Sequence, residues 1–403
     1  MPVIYSNNLV YDPTPPPTVP LPVWPTIAQD PRPTCCLIVG DGFTQDLLVA
    51  TDATATIQCS IDSLVPAPAS VRYLPVEGDR FEAGPIWDKQ KWPRVVKHWE
   101  DSGACGREYF KSLALVEVNP TRSDGLWSFH TATLAYELRC YLWHLFRSFQ
   151  YSVKLDGGRI VRWPWRRVLH YLLSEFRLFV VSFNYDVWLE ALLDARLCFD
   201  DPYYQMPFMP FVEQRLLNPY HYRAGTVLIV KPHGSIAYHL DLNGIGPLGS
   251  NPWLTDHRLS HNWMAGNRTR FEKQTGFPMV PDLVPPGRQG DDFCNPASIA
   301  PALGRDFVKQ AAVVLLSGLS GAEPDTAEVT DLIDSTKPDT PFVHVGLKAS
   351  GDDETPVGIH AKDRAASSYA FFDASDVGQL IDHLSALFKP SWKWTKHTDG
   401  PSR

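Results

Sequence analysis

The stretch CCLIVGDGFT at 35–44 decides how the rest of the chain is interpreted. Its first five residues form a continuous apolar run, which is typical of a strand covered on both faces of a parallel sheet. A Gly-Asp-Gly turn ends the strand, and the segment QDLLVATDATATIQ after Thr44 predicts a helix. Strand, glycine turn and helix together are the opening unit of a doubly wound α/β fold.

Further apolar runs of the same kind recur along the chain, and polar residues or glycine follow each of them. They are Leu178–Phe183, Thr226–Val230, Val313–Leu316, Phe342–Val345 and Tyr369–Phe372. Between and after them, apolar residues recur at helical spacing, for example at Val168, Leu169 and Leu172. We therefore predict an α/β protein with a doubly wound (Rossmann-like) parallel sheet of about six strands and a helical insertion.

The domain organisation follows from where the prolines and glycines lie. Residues 1–34 are rich in proline and predict an extended N-terminal arm, for which peptide recognition is an alternative use. A single domain is expected over 35–388, followed by a C-terminal tail at 389–403. Within this domain we expect helical or irregular insertions around 60–175 and 198–225 and a loop-rich region or lid at 243–300.

Composition excludes several classes of protein. The 403 residues are 44% hydrophobic and 20% charged, which supports a packed core and excludes a disordered chain. The net charge of −8 argues against direct binding to nucleic acid. The sequence has neither a signal-peptide pattern at its start nor a long apolar run, so we expect a cytoplasmic protein without a membrane segment.

The seven cysteines predict neither a disulfide framework nor a zinc site, because their number is odd and no two of them stand at C-x-x-C spacing. Cys35 and Cys36 are neighbours in a predicted strand and would point to opposite faces of the sheet. We interpret them as small buried apolar side chains and expect no metal site.

Ligands of an open parallel sheet bind outside the carboxyl ends of its strands. The strand ends that precede Gly40, Asn184, His233 and Gly318 should therefore meet at one edge. The residues found there are the turn Gly40–Thr44, Asn184 with Asp186, the run His233-Gly234-Ser235, and Gly318 with Ser320. This convergence of polar residues and glycine predicts a single site at that edge.

Taken singly, each group has an ordinary structural alternative. The turn with Gly40 and Gly42 suits a pyrophosphate, yet Gln45 stands where the dinucleotide pattern has its third glycine. Asn184 and Asp186 both favour helix caps, and we expect Asp186 to cap the following helix. A lone histidine such as His233 is often a satisfied interior residue.

In combination the motifs resemble the sirtuin-like family, the silent-information-regulator-two superfamily. The matching segments occur in the family's order and each follows a predicted strand. They are GDGFT at 40–44, SFNYD at 182–186, KPHGS at 231–235 and SGLSGAEPD at 317–325, with VPP at 284–286 as a weaker match. The resemblance implies that the domain at 35–388 binds NAD.

The chain departs from the zinc-containing deacylases of this family. Their paired zinc cysteines are absent, and QDLLVAT at 45–51 replaces the Gly-Ile-Pro-Asp-Phe-Arg segment that follows their first glycines. The chain is more similar to bacterial anti-phage effectors that hydrolyse NAD. This similarity implies NAD as the substrate, no metal, a homo-oligomer, and an ATPase or Argonaute partner.

The resemblance also assigns roles. Asn184 would position the nicotinamide ribose and the attacking water, and His233 would act as general base. Gly40, Gly42 and Thr44 would hold the pyrophosphate, while Gly318 and Ser320 would line the adenosine-ribose side. The full set expected to contact the nucleotide is Gly40, Asp41, Gly42, Phe43, Thr44, Asp186, Gly318 and Ser320.

We therefore expect a hydrolase that cleaves the nicotinamide–ribose bond of NAD, as a defence effector. The alternatives are a module that binds NAD or a derived nucleotide without cutting it, a protein ADP-ribosyltransferase or deacylase, and a structural subunit with a decayed site.

Overall fold

The computed structural model describes part of the chain, in segments that include all the strands predicted above. The described residues are 32–52, 93–103, 141–142, 146, 157–193, 209–210, 227–240, 253–254, 280–283, 304–319, 326–347, 354–365 and 368–388. Almost all of the proline-rich arm at 1–34 and the whole tail at 389–403 lie outside them. So do most of the regions 60–175, 198–225 and 243–300.

One sheet of seven parallel strands organises the described residues. Its strands are β1 (Thr34–Val39), β2 (Arg177–Ser182), β3 (Met209–Pro210), β4 (Leu228–Val230), β8 (Val313–Ser317), β9 (Phe342–Gly346) and β10 (Tyr369–Asp373). Their order is β10-β9-β8-β1-β2-β4-β3, and every described pairing between them is parallel. The predicted doubly wound parallel sheet is confirmed, and the two-residue strand β3 adds to the six predicted strands.

The order of the strands reverses beside β1. After β1 the chain places β2, β4 and β3 on one side, then returns to place β8, β9 and β10 on the other. The register aligns Val39 with Ser182 of β2 and with Ser317 of β8, so three strands end at the same level. This is the switch point of a doubly wound sheet, where the loops after adjacent strands leave a crevice.

Helices cover both faces of the sheet. They are α1 (Asp41–Ala50), α2 (Pro93–Ser102), α3 (Gly157–Ile160), α4 (Pro164–Glu175), α5 (Trp188–Leu193), α6 at 304–310, α7 (Thr326–Asp334), α8 (Pro356–Ala365) and α9 (Leu380–Leu387). One hydrophobic cluster joins α1, α4, α5 and α9 to the sheet, and a second joins α6, α7 and α8 to it. Successive residues of β1 alternate between these clusters, which explains its continuous apolar run.

Cys35 and Cys36 illustrate this alternation. Both thiols are free and fully buried, Cys35 in the cluster with α1 and Cys36 in the cluster with α6. Burial raises the pKa of both thiols above the ordinary value. The interpretation of the pair as small buried apolar side chains on opposite faces is confirmed.

The first helix begins earlier than the sequence indicated. We expected it after Thr44, but α1 starts at Asp41, with Gly40 as its extended N-cap, and ends at Ala50. Asp52, two residues beyond the end of the helix, has a positive φ of 57°. Because the helix starts directly at the strand end, its amino terminus lies at the edge of the sheet where the site was predicted.

A second, antiparallel sheet of three strands was not predicted. It consists of β5 (Gly234–Leu240), β6 (Trp253–Leu254) and β7 (Val280–Leu283), in the order β6-β5-β7. Two of these strands fall in the region 243–300, which we interpreted as loop-rich. Strands of two and four residues are too short to show an alternating pattern. Strand β5 begins at Gly234, directly after His233, so this sheet starts beside a predicted site residue.

A hydrogen bond between α1 and the start of α4 yields a stability test. The Trp163 indole donates to the carboxylate of Asp46 at 2.8 Å. Burial raises the pKa of Asp46, and this hydrogen bond offsets the shift only in part. The ionised carboxylate therefore destabilises the fold above the folded-state pKa, and this cost disappears below the pKa of the unfolded chain.

We expect Asp46→Asn to raise the melting temperature by about 1–2 °C at pH 7, because the amide still accepts from Trp163 and carries no charge. The gain should vanish near pH ~3, below the usual carboxyl pKa of ~3.9. Thermal unfolding of both proteins between these two pH values measures the difference in melting temperature. Asp331→Asn, at an exposed pair with Arg305, is the control. An Asp46→Asn variant less stable than wild type at pH 7 would contradict this account.

Candidate active site

The four loops that carry the predicted site residues lie at one edge of the sheet. Strands β8, β1, β2 and β4 are neighbours in this order and run parallel, so their carboxyl ends face the same way. Gly40 follows β1, Asn184 follows β2, His233 follows β4 and Gly318 follows β8. The expectation that these strand ends meet at one edge of a single parallel sheet is confirmed.

Three glycines bring the loops after β1 and β8 into backbone contact. The Gly40 N–H donates to the Ser317 carbonyl and the Gly42 N–H to the Gly318 carbonyl, each at 3.0 Å. A Cβ at Gly40 would lie 2.5 Å from the Gly318 oxygen, and one at Gly318 would lie 2.0 Å from the Phe43 nitrogen. Gly318 also has a φ of +66°, which side chains rarely adopt. The glycines are thus required by the packing of the two loops.

This packing bears on the predicted pyrophosphate site. The amides of Gly40 and Gly42 already donate to carbonyl groups of the β8 strand end and its loop. Their contact with a pyrophosphate stays a prediction. The amino terminus of α1 lies beside them, with the half-buried Asp41 as its first residue.

A buried chain of hydrogen bonds joins the loops after β1 and β2. The Asn184 side-chain amide donates to the Gly40 carbonyl at 2.8 Å and to the Thr44 hydroxyl at 3.1 Å. Thr44 in turn donates to the Asp186 carboxylate at 2.9 Å. Because both side-chain hydrogen bonds of Asn184 use its amide nitrogen, the side-chain carbonyl oxygen is directed to the other side of the amide. Asn184 is therefore held in one orientation.

Asp186 has two structural tasks in this network. One carboxylate oxygen accepts from Thr44, and the other accepts from the Trp188 N–H at 3.1 Å, at the start of α5. The expected capping role of Asp186 is confirmed by this second contact. Its carboxylate thus links α5 to α1 through Thr44.

The loop after β4 is tied to the loop after β2 by Lys231. This side chain is 1% exposed, and its ammonium donates to the Asp186 backbone carbonyl and, at 3.4 Å, to the Ser235 hydroxyl. The Ser235 hydroxyl also lies 3.5 Å from the Tyr185 carbonyl, to which it donates. Lys231 and Ser235 belong to the KPHGS segment; the sequence placed Ser235 at this edge of the sheet but gave Lys231 no role. The structure shows that they join two loops of the site.

His233 is almost completely buried between aromatic and acidic side chains. It is 2% exposed, and its Nε2 lies 3.1 Å from the Glu328 carboxylate. The Phe183 ring packs edge-on against the imidazole with a centroid distance of 5.2 Å, and the Tyr185 ring lies at 6.4 Å. Gly234 follows with a φ of +79°, where the chain turns into β5. The side chains around His233 therefore restrict the rotation of its imidazole ring.

Glu328 was missed by sequence reasoning. It belongs to the first turn of α7, in a segment beyond the SGLSGAEPD motif, and no local pattern distinguishes it from a solvated helix residue. Only the fold brings it to His233, which precedes it by 95 positions.

Two other predicted contacts have different outcomes. The Phe43 ring is buried and packs edge-on against Trp163 and Trp165, with centroid distances of 5.5 and 5.0 Å. Its aromatic contacts are thus with the core between α1 and α4, and an interaction with a nucleotide stays a prediction. Ser320 lies outside the described residues.

Neither a metal-binding cluster nor a membrane-spanning helix occurs among the described residues. In the segments that the structure describes, no group of three or more His, Cys, Asp or Glu side chains is arranged to hold a metal ion. None of the helices described is both long and apolar enough to cross a membrane.

Comparison with known proteins gave similarities at the level of solved structures. No family profile and no curated protein matches the chain. A structure from a study of the mechanism and regulation of Sir2 enzymes aligns with 89% of this chain and 95% of its own, at 12% identity and a TM-score of 0.34. A mutant Sir2 homologue in complex with ADP-ribose aligns with 88% of this chain and 92% of its own, at 10% identity and a TM-score of 0.32.

A third similar structure is a mutant complex of Sir2 homologues with 2′-O-acetyl-ADP-ribose. It covers 92% of this chain and 97% of its own, at 11% identity and a TM-score of 0.34. The fold described above rests on the strand order and register of this chain itself.

The contact of the glycine loops yields a second test. We expect Gly318→Ala to reduce the free energy of unfolding by about 2–5 kcal/mol, because it adds a steric clash to an unfavourable backbone conformation. Gly103→Ala is the matched control, since Gly103 has a φ of +62° but open space around its Cα. It should cost only about 1–2 kcal/mol. Urea unfolding measures both, and equal losses would show that the loops are not in close contact.

Proposed function

We propose that this protein is an NAD glycohydrolase that cleaves the bond between nicotinamide and ribose. The observation that carries the proposal is the pair of buried polar side chains, Asn184 and His233, which follow adjacent strands β2 and β4 and are each held by hydrogen bonds. Buried polar groups that are fixed at the ligand-binding edge of a parallel sheet are the arrangement expected of an active site.

The chemistry of the reaction fits this small set of groups. Nicotinamide leaves as a neutral ring from a cationic glycoside, so its departure needs no strong acid. The site has to stabilise an oxocarbenium-like ribose and activate a water molecule, as in other glycoside cleavages. Water adds to C1′ as the bond to nicotinamide breaks, and one proton is released with ADP-ribose.

Asn184 supplies orientation. Its nitrogen is committed to Gly40 and Thr44, so its carbonyl oxygen is the group available to accept from the water or a ribose hydroxyl. Thr44 and Asp186 act as positioning residues, because Thr44 accepts a hydrogen bond from the Asn184 amide and itself donates to Asp186. A pre-organised acceptor of this kind lowers the entropic cost of placing the nucleophile.

His233 supplies the base. An imidazole is suited to accept a proton near neutral pH, and burial among Phe183, Tyr185 and Glu328 keeps it in a defined position. The pyrophosphate would lie at the amino terminus of α1, where the helix dipole favours an anion, with Gly318 and Ser320 on the adenosine side.

The motif resemblance supports a place for this activity in anti-phage defence. In this proposal the chain works as a cytoplasmic homo-oligomer, paired with an ATPase or Argonaute, and depletes NAD when its partner responds to infection. Nucleic acid would then be recognised by the partner, in keeping with the acidic net charge of −8.

The first test removes the base. We expect His233→Ala to reduce nicotinamide release from NAD by about 10²–10⁴-fold, the range for loss of a positioned acid–base group. His360→Ala is the matched control, because His360 also contacts a carboxylate, Asp334, but on the protein surface. Wild-type cleavage by His233→Ala would refute the role of His233. NAD binding without cleavage, with the partner present, would favour a sensor.

The second test separates orientation from folding. Asn184→Ala should lower the rate of cleavage by about 10²-fold, since a misplaced nucleophile alone can cost this much. Asp186→Ala differs from Asn184→Ala in its effect on folding. It should lower the free energy of unfolding by ~1 kcal/mol, because the start of α5 loses its cap. Nicotinamide release, NAD binding and urea unfolding distinguish the two. An Asn184→Ala variant with full activity would contradict the assigned role.

A further inference from the structure

The proposed function uses the Glu328–His233 contact only to hold the imidazole in place and gives the charge of Glu328 no role. Glu328 comes from α7, which follows β8 in the chain, whereas His233 follows β4, and the Glu328 side chain is 15% exposed. Its position in the first turn of α7 places it where the helix dipole favours a negative charge. A carboxylate and an imidazole 3.1 Å apart, with the imidazole 3% exposed, form a charge-assisted hydrogen bond when the ring is protonated.

We propose that Glu328 is the positioning residue of His233 and selects which of its two nitrogens acts as the base. This inference rests on the proposed function. An ionised carboxylate oxygen only accepts, so Nε2 carries a proton and donates a hydrogen bond to Glu328. The lone pair of the neutral ring then resides on Nδ1, and the proton from water is taken up there.

The proton balance assigns Glu328 a second effect. As the water oxygen bonds to C1′ and the bond to nicotinamide breaks, Nδ1 accepts the water proton and the ring becomes an imidazolium. The negative charge of Glu328 stabilises this cation, and the proton later passes to solvent. Glu328 exchanges no proton itself, so its effect is to orient the ring and raise its basicity.

The other described groups near the ring have different roles. The ammonium of Lys231, two residues before His233, contacts the Asp186 carbonyl and the Ser235 hydroxyl. The Asp186 carboxylate accepts from Thr44 and from the Trp188 amide. Phe183 and Tyr185 present aromatic rings to the imidazole. Among the contacts described for His233, Glu328 is therefore the carboxylate that can compensate a positive charge on it.

The test uses variants that keep the size of the side chain. Glu328→Gln removes the charge, while Glu328→Asp keeps it on a shorter side chain. Asp334→Asn is the matched control, because Asp334 lies on the same helix and contacts another histidine, His360, at 2.9 Å on the surface. Thermal unfolding shows that each variant is folded, and His233→Gln assigns the resonance of His233.

The first readout is the pKa of His233 by NMR titration of labelled histidine, which requires no catalysis. We expect Glu328→Gln to lower this pKa by about 1 unit or more, since a nearby carboxylate favours the charged ring. Glu328→Asp should preserve most of the wild-type value, and Asp334→Asn should leave it unchanged. Equal pKa values for His233 in wild type and Glu328→Gln would overturn the proposal.

The second readout is the pH profile of nicotinamide release. The rate rises as the base loses its proton, so a lower pKa of His233 in Glu328→Gln moves this rise to lower pH. We expect the plateau kcat to fall by about 10–10²-fold, with little change in KM. A merely structural role would lower the plateau without moving the rise, and that result would overturn the proposal.

The two proposals fail separately. If wild-type protein releases no nicotinamide, yet Glu328→Gln still lowers the pKa of His233, the positioning contact is supported and the hydrolase proposal is wrong. If His233→Ala abolishes cleavage while Glu328→Gln changes neither the pKa nor the pH profile, the hydrolase stands and the positioning role is wrong.

Discussion

The site depends on the backbone contact between the loops that follow β1 and β8. These strands are neighbours at the switch point, and their loops meet so closely that Gly40, Gly42 and Gly318 leave no space for a Cβ. The contact fixes the start of α1, and α1 carries Thr44, which holds Asn184. One steric constraint at the backbone is thus transmitted through two hydrogen bonds to a polar side chain at the sheet edge.

The central fold could be predicted because its signals are local. An apolar run such as Cys35–Val39 is covered by helices on both faces of the sheet. Because both faces are buried, every residue of the run is apolar, and this is visible in the sequence. The capping role of Asp186 was also predictable, since a cap depends on residues next to it in sequence. Short strands such as Trp253–Leu254 carry no comparable pattern, so the two partner strands of β5 in the antiparallel sheet were missed.

The contacts between side chains could be predicted only in part. The motifs identified Asn184 and His233 as a pair, but their partners come from distant segments. Glu328 is brought to His233 by the packing of α7, and Lys231 reaches Asp186 across two loops. Such contacts depend on the three-dimensional arrangement of several elements, which no local spacing encodes. The same limit explains Phe43, which belongs to the glycine motif yet packs its ring into the core.

The position of β1 in the middle of the sheet also affects how the chain folds during synthesis. Among the strands that the structure describes, β1 leaves the ribosome first, but its partners are β2, which begins at Arg177, and β8, which begins at Val313. Until both are made, its apolar edges have no native partner, and pairings over such separations form slowly. The nascent chain is therefore exposed to aggregation, and its yield should depend on chaperones that bind unpaired strands.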